Sequence, residues 1–149
     1  MTYAAGEALL LTVVQGVTGF STTNTSRGNW LPLNSGKAAK YAVLKPGGSD
    51  YRAYIGINTN KPVHLTVIEV WEFYTQDGTT LTNLEADVQS IITAVRKSKH
   101  LGDDSKVLDS NVLTTSEVQE MWMKKGGPTW LRQRITVGWE EEEIITFQE

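Results

Sequence analysis

The side chains whose types and spacing could do chemistry are carboxylates. Glu69 and Glu72 stand in an apolar run, and residues 140 to 143 are four consecutive glutamates. Carboxylates held together can share a proton or hold a divalent cation. Successive strand residues point to opposite faces, however, so Glu140 and Glu142 diverge from Glu141 and Glu143 and no convergent site is implied. A calcium loop would interleave Asp, Asn and Gly, which this run lacks. The two histidines, His64 and His100, fall in different elements, with no motif to orient a partner for either. His-x-x-x-His pairs, nucleophile elbows, Walker loops and dinucleotide fingerprints are missing. "KPGGSD" lacks the Gly-Lys-Ser/Thr that would open a phosphate-binding helix, and reads as a turn. No catalytic residue, cofactor or metal ligand set is therefore assigned. The enzyme-like alternative is a small-molecule-binding or hydrolytic domain with Glu69, Glu72 and Tyr74 around a pocket.

The sharper signal is charge sorting in "RQRITVGWEEEE", residues 132 to 143. From Met121 to Trp139 there are Lys124, Lys125, Arg132 and Arg134 and no acid, whereas residues 140 to 149 hold glutamates and no base. In the strand that this stretch implies, Leu131, Ile135, Val137 and Trp139 face one way and Arg132, Arg134 and Thr136 the other. One reading is a solvated edge with an acidic tail. The other is head-to-tail association, in which the basic face of one copy meets the acidic segment of the next and the series closes into a ring.

The remaining chain must position these groups. At 149 residues it fits a single domain, 1–149, large enough for a real core. With no cysteine, neither disulfides nor thiolate metal sites are available. A net charge of -3 argues against a protein whose main task is gripping nucleic acid. The five tryptophans, Trp30, Trp71, Trp122, Trp130 and Trp139, accordingly read as core and protein-interface residues before stacking platforms. The N-terminal stretch lacks a basic head and carries Glu7, so it reads as a folded helix, with Leu10, Val13, Val14 and Val17 on one stripe and Gly19 as its stop. No apolar run reaches the ~18 residues of a membrane span, and no membrane partner is expected.

Residues 21–39, rich in Ser, Thr, Asn and Gly, read as a flexible loop. Lys40 to Lys45 and Tyr51 to Ile57 read as a hairpin joined by "PGGSD". Val63 to Tyr74 is a strand apolar on both faces, which calls for cover on both, by helices on one and another subunit on the other. Residues 82–99 form the clearest helix, with a Thr82-x-x-Glu85 capping box and Gly102 as its end. Lys106 to Thr115 reads as a strand, "EVQEMWMKKGGPT" as a hairpin approach and turn, and Trp130 to Trp139 as the last strand before an acidic segment, 140–149. The order α-β-β-β-α-β-β predicts an α+β domain, a mostly antiparallel sheet with two helices packed on one face.

The N-terminal helix ending near "GVTGF", the loop "NTSRGNWLPLNSGKAAKYAVLKPGG", the strand into "WEFYTQDG", the helix at 82 to 99 and the closing "RQRITVGWEEEE" together resemble the tail terminator (tail completion) proteins of long-tailed bacteriophages. The resemblance spans most of the chain and rests on the order and style of elements, with no fingerprint motif. It implies a non-enzymatic virion protein, made in the host cytoplasm and placed at the head-proximal end of the tail. It would form a homo-oligomeric ring of six copies on the last ring of tail tube protein, stop tube polymerisation and offer a surface to head-completion or connector proteins. DNA would pass through without sequence-specific contacts. Arg132, Arg134, Glu140 and Glu142 are the candidate subunit contacts, and Arg27 and Trp30 belong to a loop that docks on a partner. A head-to-tail connector or stopper, or a minor tail protein, is the alternative in the same class.

Overall fold

The computed structural model describes residues 3–28, 39–50, 63–75, 78–122 and 125–141, with the side chains of residues 49, 50 and 141 left aside. The elements run α1 (Tyr3–Gln15), β1 (Thr25–Arg27), β2 (Lys40–Asp50), β3 (Val63–Phe73), α2 (Thr79–Lys97), β4 (Val107–Thr115), β5 (Gln119–Trp122) and β6 (Thr129–Glu141). The strands form one sheet in the order β1-β2-β3-β6-β4, with β5 also on β6. Among the described strands only β1 and β2 pair in parallel. β4 and β5 succeed one another along the same edge, β4 against Ile135 to Glu141 and β5 against Thr129 to Arg132. The predicted α+β architecture is what forms.

Strand β3 is buried on both faces, as its sequence requires. Ile68 and Val70 join the larger core, which takes Leu10 and Val14 from α1 and Leu84, Val88, Ile91, Ile92 and Val95 from α2. Each such side chain contributes roughly 1.5–3 kcal/mol by leaving water, enough to hold both helices on one face. On the other face Trp71 joins Tyr41, Val43 and Trp130 in a second, smaller cluster. Helix α1 is pinned by its first residue: the Tyr3 hydroxyl donates to the Leu65 carbonyl at 2.6 Å, and its ring lies 5.5 Å from that of Trp139. No helix among the described residues is long and apolar enough to cross a membrane.

Four local expectations are corrected. "PGGSD" does not turn the chain: β2 runs through it to Asp50 beside β3, with a bulge between Pro46 and Ser49. Beyond Leu44 no described residue of β1 pairs with that strand, so among the described residues proline's missing N–H costs no ladder bond, and Gly48 at φ 86° absorbs the irregularity. The expected partner strand, 51–57, lies outside the described residues. Helix α2 begins a turn before the capping box, at Thr79, so Thr82 and Glu85 are exposed helical positions. Thr80 organises that end instead, its hydroxyl accepting the Thr75 N–H at 2.9 Å. The helix also ends at Lys97, before Gly102. Within the expected 21–39 loop, β1 pairs with Ala42 to Leu44, while Asn24 is buried, accepting the Ser21 N–H at 2.8 Å and donating to the Gly19 carbonyl at 2.9 Å. Residues 29–38 lie outside the description.

Candidate functional site

Strand alternation places Arg132 and Arg134 on the face away from the helices, as their spacing in the sequence requires, and antiparallel register sets Arg134 directly across from Glu69. Glu69 is almost fully buried and collects three cations. Its Oε2 lies 3.1 Å from Arg134 Nε and 3.5 Å from Arg132 Nη1, and its Oε1 lies 2.9 Å from Lys45 Nζ. Arg132 also donates to the Gln119 side-chain carbonyl on β5 and lies over the Trp71 ring at 5.5 Å. Burial pulls the Arg132 guanidinium below its ordinary value, the Glu69 carboxylate opposes that, and Arg134 adds to it. Three cations against one carboxylate leave two positive charges in excess within this cluster. Arg132 is buried, whereas 46 % of the Arg134 side chain is exposed.

Glu140 sits six residues further along β6, ~20 Å at strand rise. It is half-buried opposite Asp109 of β4, with Asp103 and Asp104 in the turn that leads into that strand. The charge sorting in the sequence is therefore a separation in space, with a cationic middle and an acidic end. Glu142 lies outside the described residues. Arg27, on β1, turns back to α1, its Nε 3.6 Å from Glu7 Oε1 and its Nη1 donating to the Ala4 carbonyl. Trp30 lies outside the described residues.

The pocket imagined around Glu69, Glu72 and Tyr74 does not form, because Glu69 and Glu72 are three apart in a strand and point to opposite faces. Glu72 turns to the helix side, buried beside Asp87 of α2. Loss of water, a hydrogen bond to Asp87 and the Asp87 charge push its carboxyl up to about 9, while Lys40 pulls the other way. Lys40 holds Asp87 through both carboxylate oxygens at 3.1 and 3.2 Å. His100 Nδ1 lies 3.0 Å from the Val107 carbonyl and braces the turn before β4, and the His64 ring packs 4.7 Å from that of Trp139. Trp71, Trp130 and Trp139 are core, and Trp122 is 55 % exposed. Sequence reasoning missed Lys45 and Gln119 as partners of the arginines, since only the register of distant strands brings them together.

No family model matches this sequence, and no curated protein matches it. Among solved structures the chain is similar to one in the virion of a native gene transfer agent particle, at 14 % sequence identity and a TM-score of 0.53. The likeness spans 94 % of this chain and 95 % of that one, so the two share a fold over nearly their whole lengths.

Proposed function

We propose that this protein is a structural component of a phage-like virion, and within it a tail terminator. It assembles as a ring of six copies on the end of the tail tube, stops tube polymerisation and offers the head-attachment surface. The observation that carries the reading is the full-length likeness in fold to a chain of a gene transfer agent virion. The resemblance of the sequence to tail terminators and the polarity of β6 support the finer role. A closed ring needs a heterologous contact, made by two different patches on each copy. A sheet with an excess-positive centre and an acidic end supplies two such patches. Arg134, with its half-exposed head, and Glu140 remain the candidate contacts, with Glu142 as an extension of the acidic end, while buried Arg132 shares Glu69 with Arg134.

The test is addition of the purified protein to polymerising tail tube protein, followed by electron microscopy and pull-down. Rings on tube ends and shortened tubes are expected. Retention by the portal complex with no effect on tubes would replace the terminator with a connector or stopper. A chain that engages neither would overturn the virion role.

A further inference from the structure

Beside the β4 edge, on the face away from the helices, there is a groove whose shape follows from two local features. Gly138 leaves a depression in β6, and β4 carries irregularities between Val107 and Asp109 and between Val112 and Thr114. Each inserts one extra residue, and the extra residues are Leu108 and Leu113, 41 % and 53 % exposed. Bulges re-aim side chains in this way. Leu113 leans over Gly138, its Cδ1 2.9 Å from where a Cβ would stand, and Val63 does the same from β3. With Leu65 they make an apolar floor, rimmed by Asp109 and Glu140, around a cavity of about 250 Å³. That is below the ~300 Å³ at which small-molecule sites begin. It is ample for one aromatic side chain, since a cavity of about 150 Å³ takes benzene.

The opposite end of the sheet carries a matching knob. Trp122, the last residue of β5, is the most exposed large apolar side chain among the described residues, and exposed Lys125 follows it in the turn. Its neighbour Met121 packs on the Trp130 cluster, so Trp122 points to the helix side of the sheet. Its strand partner Thr129 is nine residues from Gly138 on β6, roughly 30 Å at strand rise. Trp122 cannot reach the groove of its own chain, being both too far away and on the other face.

We propose that Trp122 of one copy seats in the Gly138 groove of the next, with Lys125 meeting Asp109 and Glu140 at its rim. This rests on the ring reading and names its contact. A knob on one face at one end and a hole on the other face at the other end overlap successive sheets like shingles, which is a heterologous contact that can close. Lys125 beside the knob complements the acidic rim of the hole, although Glu120 lies two residues before Trp122 on the same face of β5. In this contact Lys125 replaces Arg134 as the partner of Glu140, because Glu69 already holds Arg134.

The test measures mass in solution by light scattering for the wild type, Trp122→Asp, Leu113→Lys and an equimolar mixture of the two variants, with circular dichroism as a check on folding. Both positions are exposed, so the fold is expected to survive. The wild type should form a closed oligomer, and each variant alone should be monomeric, with association weakened at least ~30-fold as for an interface hot spot. The mixture should give dimers and nothing larger, because it retains one intact knob and one intact groove. An oligomeric wild type with an equally oligomeric Trp122→Asp would overturn the knob and leave the ring standing. Monomeric variants that fail to pair when mixed would overturn the pairing of these two patches. A wild type monomeric at hundreds of micromolar would overturn both the ring and its contact.

Discussion

The Arg134 guanidinium and the Glu69 carboxylate meet directly across β6 and β3, Nε to Oε2 at 3.1 Å, and this pair lies at the top of a cluster in which Arg132 is buried. Removing the carboxylate leaves a buried guanidinium unpaired, which costs about 3–5 kcal/mol. Removing the half-exposed Arg134 costs up to ~1 kcal/mol, because water screens it and Lys45 and Arg132 remain on Glu69. Urea unfolding of Glu69→Gln and Arg134→Gln should show that asymmetry, and equal losses would mean the cluster is solvated. Arg134→Gln is for the same reason a better probe of assembly than Arg134→Glu, which would set a second carboxylate against Glu69.

Glu72 gives the fold a dependence on pH. Its folded-state carboxyl titrates at about 9 against an ordinary 4.5, so between those values the folded chain holds a proton that the unfolded chain has released. Stability from this group is complete below pH ~4.5 and falls as pH rises through the window to ~9, by at most about 1.4 kcal/mol per unit. Glu7, raised mainly by burial, acts in the same direction. Glu72→Gln removes the Glu72 contribution and should stabilise the protein at pH 8 by on the order of 2 kcal/mol. Thermal unfolding of both proteins from pH 5 to 9 checks this, and parallel curves would show that Glu72 is ionised in the folded state.

Periodicity within single segments carried most of the architecture. The stripe of Leu84, Val88, Ile91, Ile92 and Val95 and the alternation in β6 could both be read because a burial pattern is local. Contacts between segments could not. Glu69 looked like a free acid in an apolar strand because its three cations come from β2 and β6, and nothing local reveals that register. "PGGSD" carries the chemistry of a turn, yet pairing with β3 extends β2 through it and the glycines become a bulge. The leucines at 108 and 113 read as ordinary strand residues, and only pairing with β6 makes them insertions.

The start of α2 separates sequence signal from structure. Thr82→Ala should leave stability within about 0.5 kcal/mol, since Thr82 is an exposed helical position with no cap to lose. Thr80→Val removes a buried hydroxyl that accepts the Thr75 N–H, and since water can reach exposed Thr75 the loss should be that of a hydrogen bond, about 0.5–1.5 kcal/mol. Chemical denaturation of the pair distinguishes them, and a larger loss for Thr82→Ala would restore the capping box.

Gly6 stands against the Trp139 ring so closely that a Cβ there would fall 2.1 Å from the ring's edge. On an exposed helical surface Gly→Ala gains up to ~1 kcal/mol from backbone entropy. Here the methyl must displace a fully buried indole whose Nε1 donates to Thr66 Oγ1 at 3.2 Å, beneath a helix anchored by Tyr3. Overpacking of this kind costs typically 1–3 kcal/mol, more than the helical gain. Gly6→Ala should therefore lower the urea midpoint and weaken the near-ultraviolet signal of the tryptophans while helix content is kept. Gly16→Ala, where the position is exposed and the nearest atom is a backbone oxygen at 3.4 Å, is the control and should be close to neutral. If Gly6→Ala stabilises the protein, α1 does not pack on Trp139 at this distance.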